Sequence, residues 1–196
     1  MPYREHLFLP EQYYHIYNRG NNRQAIFFER DNYLYFLKQL KHYVRPVLDI
    51  LAYCLMPTHY HILAQVRAQP AHEEMTEKAI SLTISRAMQK HSISYTKAIN
   101  QRFDRVGALF QGQFKGKPIE AGGHLQQVCL YIHANPVKDG LAPSPEDWEF
   151  SNYQDWIGLR EGTLLNRAFI TTWIESPEAY RALMKEYLKT SDVFAG

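Results

Sequence analysis

Residues 48–66 read LDILAYCLM-PT-HYHILAQV. An apolar run, a Pro57-Thr58 break and a second run describe a strand, a tight connection and another strand, paired antiparallel as a hairpin. Side chains alternate between faces along a strand, so residues two apart point the same way. His59 and His61 therefore project from one face, close enough to share one cation, and Tyr60 projects from the other. Neutral imidazole is a common metal ligand. A lone His-x-His pair also arises by chance among nine histidines, so this spacing leaves both readings open.

Upstream of the hairpin, residues 12–18 (QYYHIYN) read as a strand and residues 19–23 (RGNNR) as a turn. Asp31 caps a helix running to about Val44, with Leu34, Leu37 and Leu40 at helical spacing. Downstream, a long helical stretch runs from about Glu73 through His91, and residues 92–100 form or continue a helix. Residues 101–112 are a basic loop with a short apolar patch at Leu109-Phe110. Residues 114–119 read as a strand, and residues 124–135 as a helix stopped by Pro136. Residues 151–158, 166–174 and 177–188 are helical. The order β-α-β-β-α-β-α plus a tail predicts an α+β fold, an antiparallel sheet with helices packed on one face. Residues 1–158 are expected to form one domain, with 159–196 a C-terminal helical extension rather than an independent domain.

The chain has 196 residues, 45% hydrophobic and 21% charged, which excludes a disordered chain. Two cysteines, Cys54 and Cys129, make no disulfide framework and suggest a reducing compartment. The start, MPYREHLFLPEQ, lacks the apolar run of a signal peptide. The longest apolar stretch, Ile50 to Met56, is too short to cross a bilayer. A cytoplasmic protein without a membrane partner is therefore expected. Net charge is only +2, but it is unevenly spread. Residues 86–117 carry seven basic and one acidic residue, and residues 118–196 carry six basic and eleven acidic. A basic middle before an acidic tail points either to a polyanion partner or to a solvated surface.

In the helix of residues 124–135, Leu125, Val128, Cys129 and Ile132 form the core-facing stripe. At about 100° per residue, Tyr131 and Asn135 lie together on one flank of it and His133 on the other. A tyrosine at a stripe edge packs its ring while its hydroxyl reaches a cleft, and an Asn one turn later offers a carbonyl oxygen. Each has a plain alternative, an amphipathic boundary residue and an Asn-Pro helix terminator. Together with His59 and His61 they describe a coherent site. A cation on the two imidazoles and one further oxygen leaves positions open for a phosphate, which a tyrosine phenol then attacks. Tyr95, in the basic middle, is the rival nucleophile.

These residues carry a family resemblance. MPTHYHIL (56–63) resembles the His-hydrophobic-His strand of single-tyrosine HUH transposases. LYIHANPVKDGL (130–141) resembles the nucleophile helix of their REP-associated tyrosine transposase branch, where a Tyr precedes Asn-Pro-Val-Lys by four residues. YHIYNRGNNRQAIF (14–27), GALFQGQFKGKPI (107–119) and WEFSNYQDWIG (148–158) resemble its first strand and turn, basic loop-strand and closing segment. The resemblance implies a ferredoxin-like sheet and a metal-dependent endonuclease and strand-transferase for single-stranded or hairpin DNA. It implies Tyr131 as nucleophile and His59, His61 and Asn135 as ligands of Mg or Mn. Tyr60 stands where many relatives have an apolar residue. No second tyrosine lies one turn from Tyr131, unlike the paired-tyrosine relaxases. Arg19, Arg23, Arg105, Lys115 and Lys117 are the candidate DNA contacts, and a monomer or homodimer is expected. Two other functions stand beside this one. One is a non-catalytic nucleic-acid-binding module on the same sheet; the other is a metal hydrolase, which needs a positioned Glu or Asp base, and on the side before the helix only Glu120 is close in sequence, with nothing to single it out.

Overall fold

The computed structural model describes residues 7–68 and 75–192. Strands β1 (Tyr13–Arg19), β2 (Leu48–Met56), β3 (His59–Val66) and β4 (Lys115–Ile119) form one sheet in the order β2-β3-β1-β4. Every neighbouring pair is antiparallel. Helix α1 (Arg30–Tyr43) joins β1 to β2, α2 (Glu77–Arg102) joins β3 to β4, and α3 (Gly123–Lys138) follows β4. This is the expected ferredoxin-like α+β arrangement, and the β2–β3 hairpin has the bounds read from the sequence.

Two local readings, the cap of α1 and the end of α3, are corrected, and one open reading is settled. α1 is capped by Glu29, not Asp31. The Glu29 carboxylate accepts from the Asn32 main chain while Asn32 Oδ1 accepts the Glu29 N–H at 3.1 Å, a reciprocal capping box. The two helical stretches after the hairpin are the single helix α2; its expected start at Glu73 lies outside the described residues. α3 does not stop before Pro136 but continues to Lys138. The proline falls in the last turn, where its missing N–H deprives only the Ile132 carbonyl of a partner. The Leu141 and Ala142 N–H groups then close the end on the Pro136 carbonyl, at 2.8 and 3.3 Å.

Both faces of the sheet are covered. On one, α1 and α2 pack Phe36, Leu40, Ile84, Met88 and Tyr95 against Ile16, Tyr60, Ile62 and Leu55. On the other, α3 packs Leu125, Cys129 and Ile132 against Leu51, Cys54, Met56 and Leu63. Helices on one face alone therefore describes only α1 and α2. The reason is visible in β2, whose near-continuous apolar run is buried on both sides, as in a strand between two layers.

Helices α4 (Tyr153–Trp156), α5 (Arg167–Trp173) and α6 (Pro177–Asp192) complete the second layer, burying Trp156, Phe169, Ile170, Tyr180 and Met184 in that core. The same segment blocks the open edge of β2, where free N–H and C=O groups invite pairing with other chains. Leu55 N–H donates to Phe150 O at 2.9 Å, Trp148 Nε1 to Leu55 O at 3.0 Å, and Asn166 N–H to Ile50 O at 3.0 Å. No described helix is long and apolar enough to cross a membrane.

Candidate active site

Strand register decides which side chains meet. Across β1 and β3, Tyr17 faces His61 and Arg19 faces His59; across β1 and β4, Tyr17 faces Lys115 and His15 faces Lys117. Residues opposed in a ladder lie on one face. His15, Tyr17, Arg19, His59, His61, Lys115 and Lys117 therefore share the face that α3 covers. Tyr60 lies on the other, fully buried with its ring 5.0 Å from Phe36.

A cleft of about 590 Å³ opens over this face, lined by Tyr17, Asn18, Arg19, Arg23, Thr58, His59, His61, Gln111 and Lys115. The turn after β1 shapes one wall. Gly20 N–H donates to Thr58 O at 2.8 Å, and a Cβ on Gly20 would stand 2.0 Å from Gln24 O, so only glycine fits. Asn22 and Arg23 take left-handed backbone angles, φ 52° and 58°. The loop before β4 locks the turn: Asn21 N–H donates to Leu109 O at 2.9 Å and Gln111 N–H to Arg19 O at 2.8 Å. The Arg19 guanidinium donates from Nε to Gln111 Oε1 at 2.5 Å, which aims it along the cleft wall.

The two histidines of the hairpin stand edge to face, ring centroids 5.1 Å apart. His59 Nδ1 is bonded to Thr58 Oγ1 at 3.0 Å and His61 Nδ1 to His15 Nε2 at 2.9 Å. Neither Nε2 has a hydrogen-bond partner among the described residues, so each ring is held by one nitrogen and free at the other. Burial holds both imidazoles in the neutral form. It pushes the His61 pKa down to about 2, aided by the neighbouring His15 and His59, and lowers that of His59 as well. For His59 the Asp139 carboxylate at the end of α3 works in the opposite direction.

α3 lays Tyr131 against this pair. Its ring meets His61 edge-on at 5.4 Å and His15 at 6.0 Å, and the residue keeps 37% of its surface exposed. That exposure separates it from Tyr95, which is wholly buried and donates its hydroxyl to Ile26 O at 2.7 Å. Burial raises the Tyr131 phenol pKa and the Asn135 amide draws it back. Asn135 itself is buried, with Nδ2 donating to the Tyr131 carbonyl at 2.7 Å and Oδ1 left as acceptor.

The phase of α3 is fixed from its far flank. His133 is wholly buried, with Nε2–H donating to Asn152 Oδ1 at 2.9 Å and Nδ1 accepting from the Tyr180 hydroxyl at 2.7 Å. Asn152 Oδ1 also accepts the Tyr53 N–H at 2.6 Å, and Asn152 Nδ2 donates to the Leu51 carbonyl at 3.0 Å, where β2 bulges. Helix α3, strand β2 and α6 are thereby tied at one point.

Of the residues singled out from sequence, His59, His61, Arg19, Arg23 and Lys115 come together in the cleft, and Tyr131 and Asn135 lie on the helix beside it. Lys117 shares the face next to His15, where burial and its charge lower the His15 pKa to about 4. Arg105 stands apart, its guanidinium 5.4 Å over the Phe28 ring. His15, Thr58, Gln111 and Tyr17 were not read as part of a site. The alternation of β1, which puts residues 15, 17 and 19 on one face, hinted at His15 and Tyr17 alone.

No family model matches the chain. A Haemophilus influenzae protein provisionally named as a REP-associated tyrosine transposase is 25% identical over 120 residues, 56% of this chain and 67% of that one. A solved structure described as a REP-associated tyrosine transposase bound to a REP hairpin shares the fold. Its TM-score is 0.62 at 16% identity, over 85% of this chain and 98% of that chain. The chain is thus similar in sequence to one protein named as a REP-associated tyrosine transposase and shares the ferredoxin-like fold of another.

Proposed function

We propose that the chain nicks and rejoins single-stranded DNA at hairpins, with Tyr131 as the nucleophile. The observation that carries this reading is the contact of an exposed tyrosine with His61 at the rim of a cleft lined by Arg19, Arg23 and Lys115. The guanidinium and ammonium groups bind the phosphodiester and neutralise charge that develops on it. The Tyr131 oxygen attacks phosphorus in line with the leaving 3′-oxygen. The P–O3′ bond breaks, the strand leaves with a free 3′-hydroxyl, and the other end stays on Tyr131 as a 5′-phosphotyrosine ester. The phenol proton goes to water and the departing oxygen takes one up. Because the ester keeps the phosphodiester linkage, a 3′-hydroxyl that attacks it reforms a strand and frees Tyr131.

His59 and His61 fit a divalent cation such as Mg or Mn. Both are neutral, and each is oriented through Nδ1 with Nε2 free, the arrangement of imidazole ligands supported by an outer hydrogen bond. No third His, Cys, Asp or Glu joins them among the described residues, so the Asn135 carbonyl oxygen and the DNA phosphate are the remaining donors. Such a cation supplies Lewis-acid polarisation of the phosphoryl oxygens.

The test is a hairpin oligonucleotide with single-stranded flanks, incubated with the protein and Mg²⁺ or Mn²⁺. Wild type is expected to cleave it, and Tyr131→Phe to bind it with unchanged affinity and leave it intact. A wild-type protein that binds the hairpin without ever cutting it is a binding module, and the proposal falls.

A further inference from the structure

The hydrogen bond between His15 and His61 has a consequence for the site. The rings belong to neighbouring strands, one step apart on the diagonal, and stack at 5.0 Å between centroids with 28° between planes. His15 Nε2 and His61 Nδ1 are 2.9 Å apart. Two bare nitrogens repel at that distance, and two N–H groups collide, so one proton lies between them. It belongs to either ring. If His61 owns it, His61 is the Nδ1–H tautomer and its Nε2 carries a free lone pair toward the cleft. If His15 owns it, a neutral His61 must carry its own proton on Nε2, and His61 then has no lone pair to offer.

We infer that His15 is a positioning residue that accepts the Nδ1 proton of His61 and so presents His61 Nε2 as a cation ligand. This rests on the reading of His59 and His61 as ligands. His59 differs from its neighbour in this respect. Its Nδ1 partner, Thr58 Oγ1, is a hydroxyl that donates or accepts by rotation and imposes no tautomer. An imidazole acceptor, whose lone pair is fixed in the ring plane, holds both the proton and the ring angle. His15 also lies against the edge of Tyr131, so the same stack sets the distance between ligand and nucleophile.

The experiment is Mn²⁺ titration of the full chain by calorimetry without DNA, alongside ¹⁵N spectra of its histidines. His15→Phe keeps an aromatic ring in the stack and deletes the acceptor; His15→Gln restores an acceptor oxygen. Thermal melting shows that each variant is folded. Mn²⁺ affinity is expected to fall about 10- to 100-fold in His15→Phe, the usual effect of losing an outer-shell partner, and to recover in large part in His15→Gln. The spectra are expected to place the His61 proton on Nδ1 in the wild type. Mn²⁺ uptake lost in His59→Ala but unchanged in His15→Phe overturns the positioning role and leaves the ligand reading standing. Uptake unchanged in His59→Ala as well overturns both. A His61 proton on Nε2 in the wild type also overturns the positioning role.

Discussion

His61 and His133 are both neutral, buried imidazoles on the α3 side of the sheet, yet they are built for different work. His133 has a partner on each nitrogen, Asn152 on one and Tyr180 on the other, and no exposed surface. His61 has a partner on Nδ1 alone, and its other nitrogen faces a cleft among cationic side chains. A buried polar atom without a partner costs free energy, so a ring left half-satisfied is a sign of something that binds there. His91, under α1, gives the comparison a third member. Its Nε2 lies 3.3 Å from Phe36 O and its Nδ1 is unpaired, but the residue is wholly buried, with no surface exposed to solvent. An open nitrogen marks a site only where a ligand can reach it.

The contrast breaks if cleft and core histidines respond alike to substitution. The largest effect is expected at the cleft. His59→Ala or His61→Ala should remove DNA cleavage while the chain stays folded, with the smaller melting shift in His59→Ala because His61 is the more buried of the two. Chelation with EDTA should reproduce the loss in the wild type. Melting curves and a cleavage gel read both.

His133→Ala should do the reverse in kind. It leaves a cavity and strips the Tyr180 hydroxyl of its buried partner, for a loss of about 2–4 kcal/mol of stability by chemical denaturation. Cleavage at a temperature where the variant is folded should fall less than in either cleft variant.

Acid sharpens the core side of the comparison. Burial holds His91 and His133 near pKa 4 in the folded chain, against about 6.5 when unfolded. A lowered imidazole pKa means the unfolded chain takes up protons first. Their contribution is therefore complete above pH 6.5 and is lost as pH falls toward 4. Denaturant midpoints measured between pH 7 and pH 4 should fall, and His133→Gln should flatten the slope.

The smallest effect is expected from the cations at the rim. Lys115→Ala should weaken hairpin binding uniformly across sequences and reduce the slope of log K against log salt by about 1. Arg105→Ala, whose guanidinium stacks on Phe28 outside the cleft, should change that slope less.

The sequence made the hairpin legible because β2 and β3 are mostly apolar and Pro57-Thr58 separates them sharply. The alternation that puts His59 and His61 on one face, and the helical phase that joins Tyr131 to Asn135, are local properties, and both were readable. His15 was not, because its meeting with His61 depends on how β1 slides along β3, which no local pattern states. The end of α3 was misread because a proline inside a last turn costs only one hydrogen bond. The second helical layer was hidden in a run of apolar residues that suits a strand buried on either one face or two. Tyr95 lost its standing as rival nucleophile through burial alone, and the tyrosine that now competes is Tyr17, on the cleft wall 6.1 Å from His61.

That competition sets the most direct measurement. The protein is incubated with hairpin DNA and Mn²⁺, the covalent adduct is trapped by denaturation, and nuclease and protease digests are analysed by mass spectrometry. The nucleotide is expected on the peptide that spans Tyr131, and on no peptide in Tyr131→Phe. An adduct on the Tyr17 peptide that persists in Tyr131→Phe would contradict the account.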